Sequence, residues 1–189
     1  MDTVAPCRTL VVAAASRHGG TCEIADRLAW TLGNDLPLGW RVIRPELSDL
    51  RALDDADAVV LGSAIYYGHW MRAAAHALAY LKDAPLFDLW LFSTGPVSEV
   101  ETENAQIISA DSMVQAGQAI EHKVFGGRLD TSRLSWVERA VVKAVHAIPG
   151  DHRDWDEVDA WAHHIAKQLS VVPAPSDGTK GTSNEDALP

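Results

Sequence analysis

The sequence predicts an α/β protein of three layers, with a doubly wound, five-stranded parallel sheet between two layers of helices. Two observations predict this class. Short apolar runs of strand length alternate with longer segments in which apolar residues recur every three or four positions. The runs also lack the apolar–polar alternation of a half-exposed strand, so both of their faces are expected to be buried, as in a parallel sheet.

The sequence predicts five strands. The predicted strands are Thr9–Ala15, Trp40–Pro45, Ala56–Ala64, Leu89–Ser93 and His122–Gly126. Because helices separate them, the strands should lie parallel in one sheet and be joined by right-handed crossovers.

The helices are predicted from their apolar stripes. Ile24, Leu28 and Leu32 repeat at four-residue steps in the first helix. Further helices are predicted at 71–82, at 103–117 and from about Asp154, where Asp154 and Glu157 resemble a capping box.

Composition limits the function classes. The chain carries a formal net charge of −10, which disfavours nucleic-acid binding because that function needs clustered Lys and Arg. No secretory signal pattern and no apolar run of about 20 residues is present, so a cytoplasmic location is expected. Residues 1–170 are expected to form one domain, followed by a disordered, Pro-, Gly- and Ser-rich tail at 171–189. No metal site is predicted, since the adjacent His163 and His164 would face different directions on a helix.

Three loops at the predicted carboxyl ends of the strands carry the candidate chemistry. The first loop, Ser16–Thr21, follows a buried strand and opens a helix, a position where backbone N–H groups and the helix dipole bind anions. The second loop, Ser63–Trp70, holds three aromatic residues and a histidine, which suit a flat conjugated ligand. The third loop, Ser93–Ser98, offers backbone donors and acceptors. Each loop could instead be an ordinary turn, with Tyr67 and Trp70 anchoring the next helix.

Together these loops resemble those of flavodoxin-like FMN proteins, and more closely the subgroup of menaquinone-dependent protoporphyrinogen oxidases. Residues 16–21 are similar to that subgroup's phosphate loop. Residues 62–69, GSAIYYGH, are similar to its second loop, and Trp155 after Asp154 is similar to the start of its last helix. The resemblance covers about residues 8–169 and implies the strand order 2-1-3-4-5.

The resemblance also implies the cofactor and its contacts. FMN would be held at three sets of residues, one from each loop. These are Ser16, Arg17, His18, Gly19, Gly20 and Thr21 for the phosphate, and Ala64, Ile65, Tyr66, Tyr67, Gly68 and His69 with Ser93, Thr94, Gly95, Pro96 and Val97 for the isoalloxazine ring. The flavin would carry the electrons while the protein positions it. No residue is assigned a catalytic role.

The chain departs from the subgroup at two places. Tyr66 stands where the subgroup often has Arg, and residues 126–130 read GGRLD where the subgroup is rich in Tyr and Arg. The spacing of apolar and basic residues at 131–148 predicts an additional amphipathic, basic helical segment. That segment could pack on its own domain, dock a partner, cover a substrate or rest on an anionic membrane surface.

Three functions follow as alternatives. The first is an FMN-dependent oxidoreductase that passes electrons from a reduced substrate, with protoporphyrinogen IX as the named candidate, to a quinone or another acceptor. The second is a soluble electron carrier with a redox partner, which the acidic net charge would suit. The third is an interaction module that kept the fold and lost the flavin.

Overall fold

A parallel sheet forms the centre of the fold. The computed structural model describes residues 8–66, 69–82, 88–95, 114, 118–130, 132, 136 and 149–171. Its strands are β1 (Arg8–Ala15), β2 (Trp40–Ile43), β3 (Ala58–Tyr66), β4 (His69–Trp70), β5 (Asp88–Gly95) and β6 (Glu121–Gly126). The order is β2-β1-β3-β5-β6, and β4 pairs only with β3. With the two-residue β4 set aside, this order confirms the predicted 2-1-3-4-5.

Helices cover both faces of the sheet. The described helices are α1 (Gly20–Asp35), α2 (Arg72–Lys82) and α3 (Trp155–Val171), and a short 3-10 helix spans Leu50–Leu53. A separate two-stranded ribbon joins β7 (Arg128–Leu129) to β8 (Gly150–Asp151). α1 and α3 pack against one face, and α2 packs against the other.

Strand β1 shows why the apolar runs are continuous. Leu10 and Val12 belong to the core beneath α1 and α3, whereas Val11 and Ala13 belong to the core beneath α2. All four are fully buried. Since successive side chains point to opposite faces, a strand with helices on both sides must be apolar at every position.

An aromatic cluster of Phe92, Phe125 and Trp161 fills the core beneath α3. The three rings contact one another edge to face, with centroids 5.6 to 6.2 Å apart. Gly62 of β3 is the register partner of Phe92. A Cβ atom on Gly62 would lie 2.0 Å from Cζ of that ring, so this position admits no side chain.

Asp154 caps the start of α3 as predicted, whereas the Glu157 carboxylate, the other half of the predicted capping box, contacts Lys123. Oδ1 of Asp154 accepts hydrogen bonds from the backbone N–H groups of Asp156 (3.0 Å) and Glu157 (3.1 Å), two of the donors that a helix N-terminus leaves without intrahelical partners. The Glu157 carboxylate lies 2.8 Å from Nζ of Lys123 and so joins α3 to β6.

The strands differ from the predicted ones mainly at their ends. β3 and β5 each extend two residues further than predicted, to Tyr66 and Gly95. The predicted helix at 103–117, the additional segment at 131–148 and the tail from 172 lie outside the described residues, apart from positions 114, 132 and 136. Within the described part of the chain, no helix is long and apolar enough to cross a bilayer.

The contact between α1 and α3 predicts a pH-dependent stability. The Asp159 carboxylate accepts two hydrogen bonds from Arg27 (2.6 and 2.8 Å) and one from Thr31 (2.9 Å). The bonds from Arg27, chiefly, hold the pKa of Asp159 below its ordinary value of 3.8. Since the folded pKa lies below the unfolded one, the stabilisation is present above pH 3.8 and is lost as the pH falls through the folded pKa.

Asp159→Asn should therefore lower the free energy of unfolding at pH 7 by the modest amount usual for one partly exposed ion pair. Urea unfolding of both proteins from pH 7 into the acid range measures the effect. The difference between them should shrink once the pH falls below 3.8. A difference that stays constant over this range would contradict the assignment.

Candidate functional site

The described parts of the three predicted loops lie at one edge of the sheet, where β1, β3 and β5 end. A hydrogen bond joins the first loop to the third, because Oγ1 of Thr21 lies 2.7 Å from Oγ1 of Thr94. Both side chains are buried. The first loop is thereby fixed to the end of β5, although the two threonines are 73 residues apart in sequence.

The first loop directs backbone N–H groups toward a single oxygen. The N–H groups of Gly19 and Thr21 both donate to Oγ of Ser16, at 3.0 and 3.4 Å. Gly19 has φ 89°, a left-handed conformation that favours glycine, and α1 begins at the next residue. The loop thus presents converging amides at the positive end of a 16-residue helix, which is a geometry that binds anions.

The side chains of this loop differ in accessibility. Arg17 is exposed, and Ser16 and His18 are half-buried. Thr21 is buried. Its backbone N–H donates to Ser16 within the loop, and its hydroxyl forms a hydrogen bond with that of Thr94, which fixes the loop to β5.

The second loop forms a hairpin in the structure, where the sequence predicts an irregular loop. Ile65 pairs with Trp70 and Tyr66 with His69, antiparallel. The hairpin leaves Tyr66 half-buried and His69 exposed. Tyr67 and Gly68, like Pro96 and Val97 of the third loop, lie outside the described residues.

Trp70 turns inward and anchors this hairpin. Its side chain is buried, and its indole Nε1 donates to Oγ of Ser93 at 2.9 Å. Oγ of Ser93 lies 2.8 Å from Nε2 of His122 on β6. Sequence analysis did not single out His122, because one histidine in a strand carries no pattern that indicates its neighbours. The network places the Ser93 hydroxyl beneath the site rather than on its surface.

Ser63 fixes the other end of the hairpin. Its hydroxyl accepts a hydrogen bond from the N–H of Met71 (2.9 Å) and donates to the carbonyl of Ala64 (2.8 Å). Ala64 is itself buried. The hairpin is therefore held by Ser63 on one side and by Trp70 on the other.

Arg17 lies over the hairpin from the first loop. Its guanidinium carbon is 5.7 Å from the centroid of the Tyr66 ring, within the range of a cation–π contact. An arginine charge therefore reaches position 66 from a different loop.

A second cluster, which sequence analysis missed, borders the first loop. We call Glu23, Arg128, Asp151 and Arg153 the Glu23 clamp. Arg128 and Arg153 both contact the Glu23 carboxylate, at 3.1 and 2.7 Å. Arg153 also pairs with Asp151 through Nε (2.7 Å) and Nη2 (2.6 Å). These hydrogen bonds lower the pKa of Asp151 and raise that of Arg153, so both groups are charged at neutral pH.

Close backbone approaches bring the clamp to the site. A Cβ on Gly126 would lie 2.1 Å from the carbonyl oxygen of His152, and one on Gly127 would lie 2.7 Å from that of Gly95. The N–H of His152 donates to the carbonyl of Gly127 at 3.1 Å. The GGRLD sequence thus serves a steric purpose, since two glycines let β8 and its following residues reach the edge of the sheet.

A family model described as a flavodoxin domain matches residues 11–156 of this chain. That span contains all three loops and most of the sheet. No curated protein sequence matches the chain at a significant level.

Solved structures share the fold at low sequence identity. A short-chain flavodoxin associated with a non-canonical PDU bacterial microcompartment has a TM-score of 0.58 and 17% identity, over 86% of this chain and 99% of the other. A flavodoxin from Streptococcus pneumoniae TIGR4 has a TM-score of 0.56 and 18% identity, over 86% and 97%.

A larger protein also contains the fold. The rubredoxin oxygen:oxidoreductase of Desulfovibrio gigas has a TM-score of 0.55 and 15% identity, over 87% of this chain. The match spans 37% of that enzyme's length, so it concerns one part of a longer chain. At these identities the likeness establishes the fold alone.

Proposed function

This chain belongs to the flavodoxin domain family, and on that premise we propose that it binds FMN at the carboxyl edge of its sheet and transfers electrons. The observation that carries the proposal is the convergence of two backbone N–H groups, those of Gly19 and Thr21, on one oxygen at the start of α1. A phosphate oxygen has the same acceptor chemistry as the Ser16 hydroxyl oxygen that those amides meet here.

The first loop would therefore hold the phosphate. Ser16 can rotate its hydroxyl from acceptor to donor when an anion takes over the loop amides. The positive φ of Gly19 and its lack of a side chain let the backbone approach the anion closely. Thr21 supports the loop through its bond to Thr94. Arg17 and His18 complete the proposed phosphate contacts through their backbone, and the Arg17 guanidinium stays over Tyr66.

The hairpin and the third loop would hold the ring. Tyr66 and His69 lie on the hairpin that Trp70 anchors, and Gly95 ends β5 beside it. We retain residues 64–69 and 93–97 as the proposed ring contacts, with Ser93 acting through the hairpin because its hydroxyl is bonded to Trp70 and His122. Bound FMN would supply the electron chemistry. The residues of the chain bind it, orient it and limit its contact with water.

We propose an oxidoreductase with a separate substrate in preference to a simple electron carrier. The exposed guanidinium of Arg17 over Tyr66, at the rim of the site, favours a substrate that bears carboxylates. Protoporphyrinogen IX, with a quinone as acceptor, is the named candidate of this class, and the similarity of residues 62–69 to the oxidase subgroup supports it. We also retain the proposals that residues 1–170 form a single domain and that the protein acts in the cytoplasm.

A titration with FMN tests the proposal. The purified protein, freed of any flavin, should bind FMN. The oxidised-flavin absorption bands, at about 375 and 450 nm, should shift on binding because the ring enters a less polar site. A protein that fails to bind in excess FMN would overturn the proposal and leave a flavin-free interaction module.

Gly19→Ala and Gly39→Ala form a matched pair for this titration. Both glycines have positive φ, 89° and 101°, so both variants carry a similar backbone cost of about 1 kcal/mol. Gly19→Ala should weaken FMN binding by about tenfold, because it disturbs the loop amides. Gly39→Ala, in the turn before β2, should bind like the wild type. Two anaerobic reactions then separate the oxidase from the carrier. In the oxidase, the reduced porphyrin should reduce the oxidised flavin, and a quinone should reoxidise the reduced flavin.

A further inference from the structure

Glu23 is placed where a carboxylate opposes phosphate binding. Glu23 lies in the first turn of α1, two residues after Thr21, which ends the first loop. A carboxylate there stabilises the helix itself through the macrodipole. The same charge would repel a phosphate bound to the loop amides, because both anions draw on the same positive helix end.

Arg153 compensates for that charge from an otherwise distant part of the chain. Its side chain is 4% exposed. Nη1 donates to Glu23 at 2.7 Å and to the carbonyl of Gly20, within the first loop, at 3.4 Å. Its remaining donors hold Asp151, and its guanidinium carbon lies 4.5 Å from the centroid of the Trp155 ring. A guanidinium so enclosed keeps a fixed position and a full charge.

Arg128 holds the same carboxylate from the neighbouring strand. Its Nη1 lies 3.1 Å from Glu23, and its side chain is 23% exposed. Arg128 and Asp151 are register partners in the β7–β8 ribbon. The Glu23 clamp therefore contains two cations and two carboxylates and has no net charge.

We infer that Arg153 and Arg128 are positioning residues that make the first loop selective for a phosphorylated flavin over an unphosphorylated one. They do so by neutralising Glu23 and by fixing the first turn of α1, without contacting the flavin ring. The inference rests on the proposed FMN site and adds to it Arg128 and Asp151 of the β7–β8 ribbon and Arg153, which lies two residues after β8.

Comparison of FMN with riboflavin tests the inference, because riboflavin has the same ring system without the phosphate. We expect Arg153→Gln to weaken FMN binding by about tenfold, since Glu23 and Asp151 then lose a cation beside the phosphate. Riboflavin binding should change less than about twofold. Isothermal titration of the folded protein gives both dissociation constants without any measurement of turnover.

A second substitution separates charge from shape. In Arg153→Gln/Glu23→Gln the opposing carboxylate is gone as well, so the ratio of FMN to riboflavin affinity should return to within about threefold of the wild type. Arg27→Gln is the matched control. Arg27 lies further along α1 and forms the same kind of contact, with two hydrogen bonds to the carboxylate of Asp159 on α3. It should leave the ratio unchanged. If Arg153→Gln does not fold, Arg128→Gln provides the same comparison at a more exposed arginine.

Each outcome gives a decision. A selective loss of FMN affinity that Glu23→Gln restores supports the inference. Equal losses for FMN and riboflavin, or no loss for either, overturn it while leaving the FMN site intact. A wild-type protein that binds neither flavin overturns the proposed function itself, and this inference with it.

Discussion

Gly62→Ala is expected to lower the free energy of unfolding by about 2–3 kcal/mol, within the range for overpacking a core. The added methyl carbon would lie 2.0 to 2.5 Å from three atoms of the Phe92 ring. That ring is fully buried and packs edge to face against Phe125 and Trp161, so it can move aside only if the whole cluster rearranges. Urea unfolding followed by tryptophan fluorescence measures the loss.

Gly33→Ala is the matched control, since it adds the same methyl group to a glycine elsewhere. Gly33 lies in α1 and its Cβ would have no atom within 4 Å. Alanine is the better helix former, so this variant should gain about 0.5–1 kcal/mol. Equal stabilities for the two variants would show that Phe92 does not require a glycine at position 62.

The strands could be predicted because their burial leaves a direct trace in the sequence. The run at 10–15 is apolar at every position, since one face meets α1 and α3 and the other meets α2. The stripe of Ile24, Leu28 and Leu32 predicts α1 for the related reason that a single helix face is buried. Both patterns are local, so they can be recognised without knowing which elements are neighbours.

The interior of the site could not be predicted in the same way. Trp70 follows two tyrosines, Tyr66 and Tyr67. Such a pattern fits either a surface on which a flat ligand stacks or a side chain that is buried to hold the next helix. Its buried bond to Ser93 depends on β3 and β5 being adjacent. His122 joins the same network from β6, 29 residues beyond Ser93. Such contacts between distant residues leave no periodic pattern.

The Glu23 clamp escaped prediction for two physical reasons. β7 and β8 have two residues each, too few to show any alternation of apolar and polar residues. The contact between Arg153 and Gly20 also spans 133 positions. The sequence does contain the pair Gly126-Gly127. The reason for these glycines becomes clear only once the backbone of His152 is seen to lie against Gly126.

Gly126→Ala should therefore have a still larger effect on stability, a loss of about 3 kcal/mol, at the upper end of the range for overpacking. Its Cβ would lie 2.1 Å from the carbonyl oxygen of His152. That obstacle is backbone, which cannot rotate away as a side chain can. The chain from β8 to α3 would have to move outward, and the bond from the His152 N–H to Gly127 would be lost.

Gly95→Ala is the control for this variant, because Gly95 is the register partner of Gly126 at the end of the next strand. Its Cβ would meet side-chain atoms of Val124 and Ile65 at 3.7 and 3.9 Å, which are ordinary contact distances. Thermal and urea unfolding should then show a large loss for Gly126→Ala and a change below about 1 kcal/mol for Gly95→Ala. Similar losses in both would mean that the ends of β5 and β6 tolerate no side chain at all, and that the approach of His152 is not what requires glycine at position 126. With the expected result, Gly126 is the residue that allows the Arg153 segment to reach the first loop.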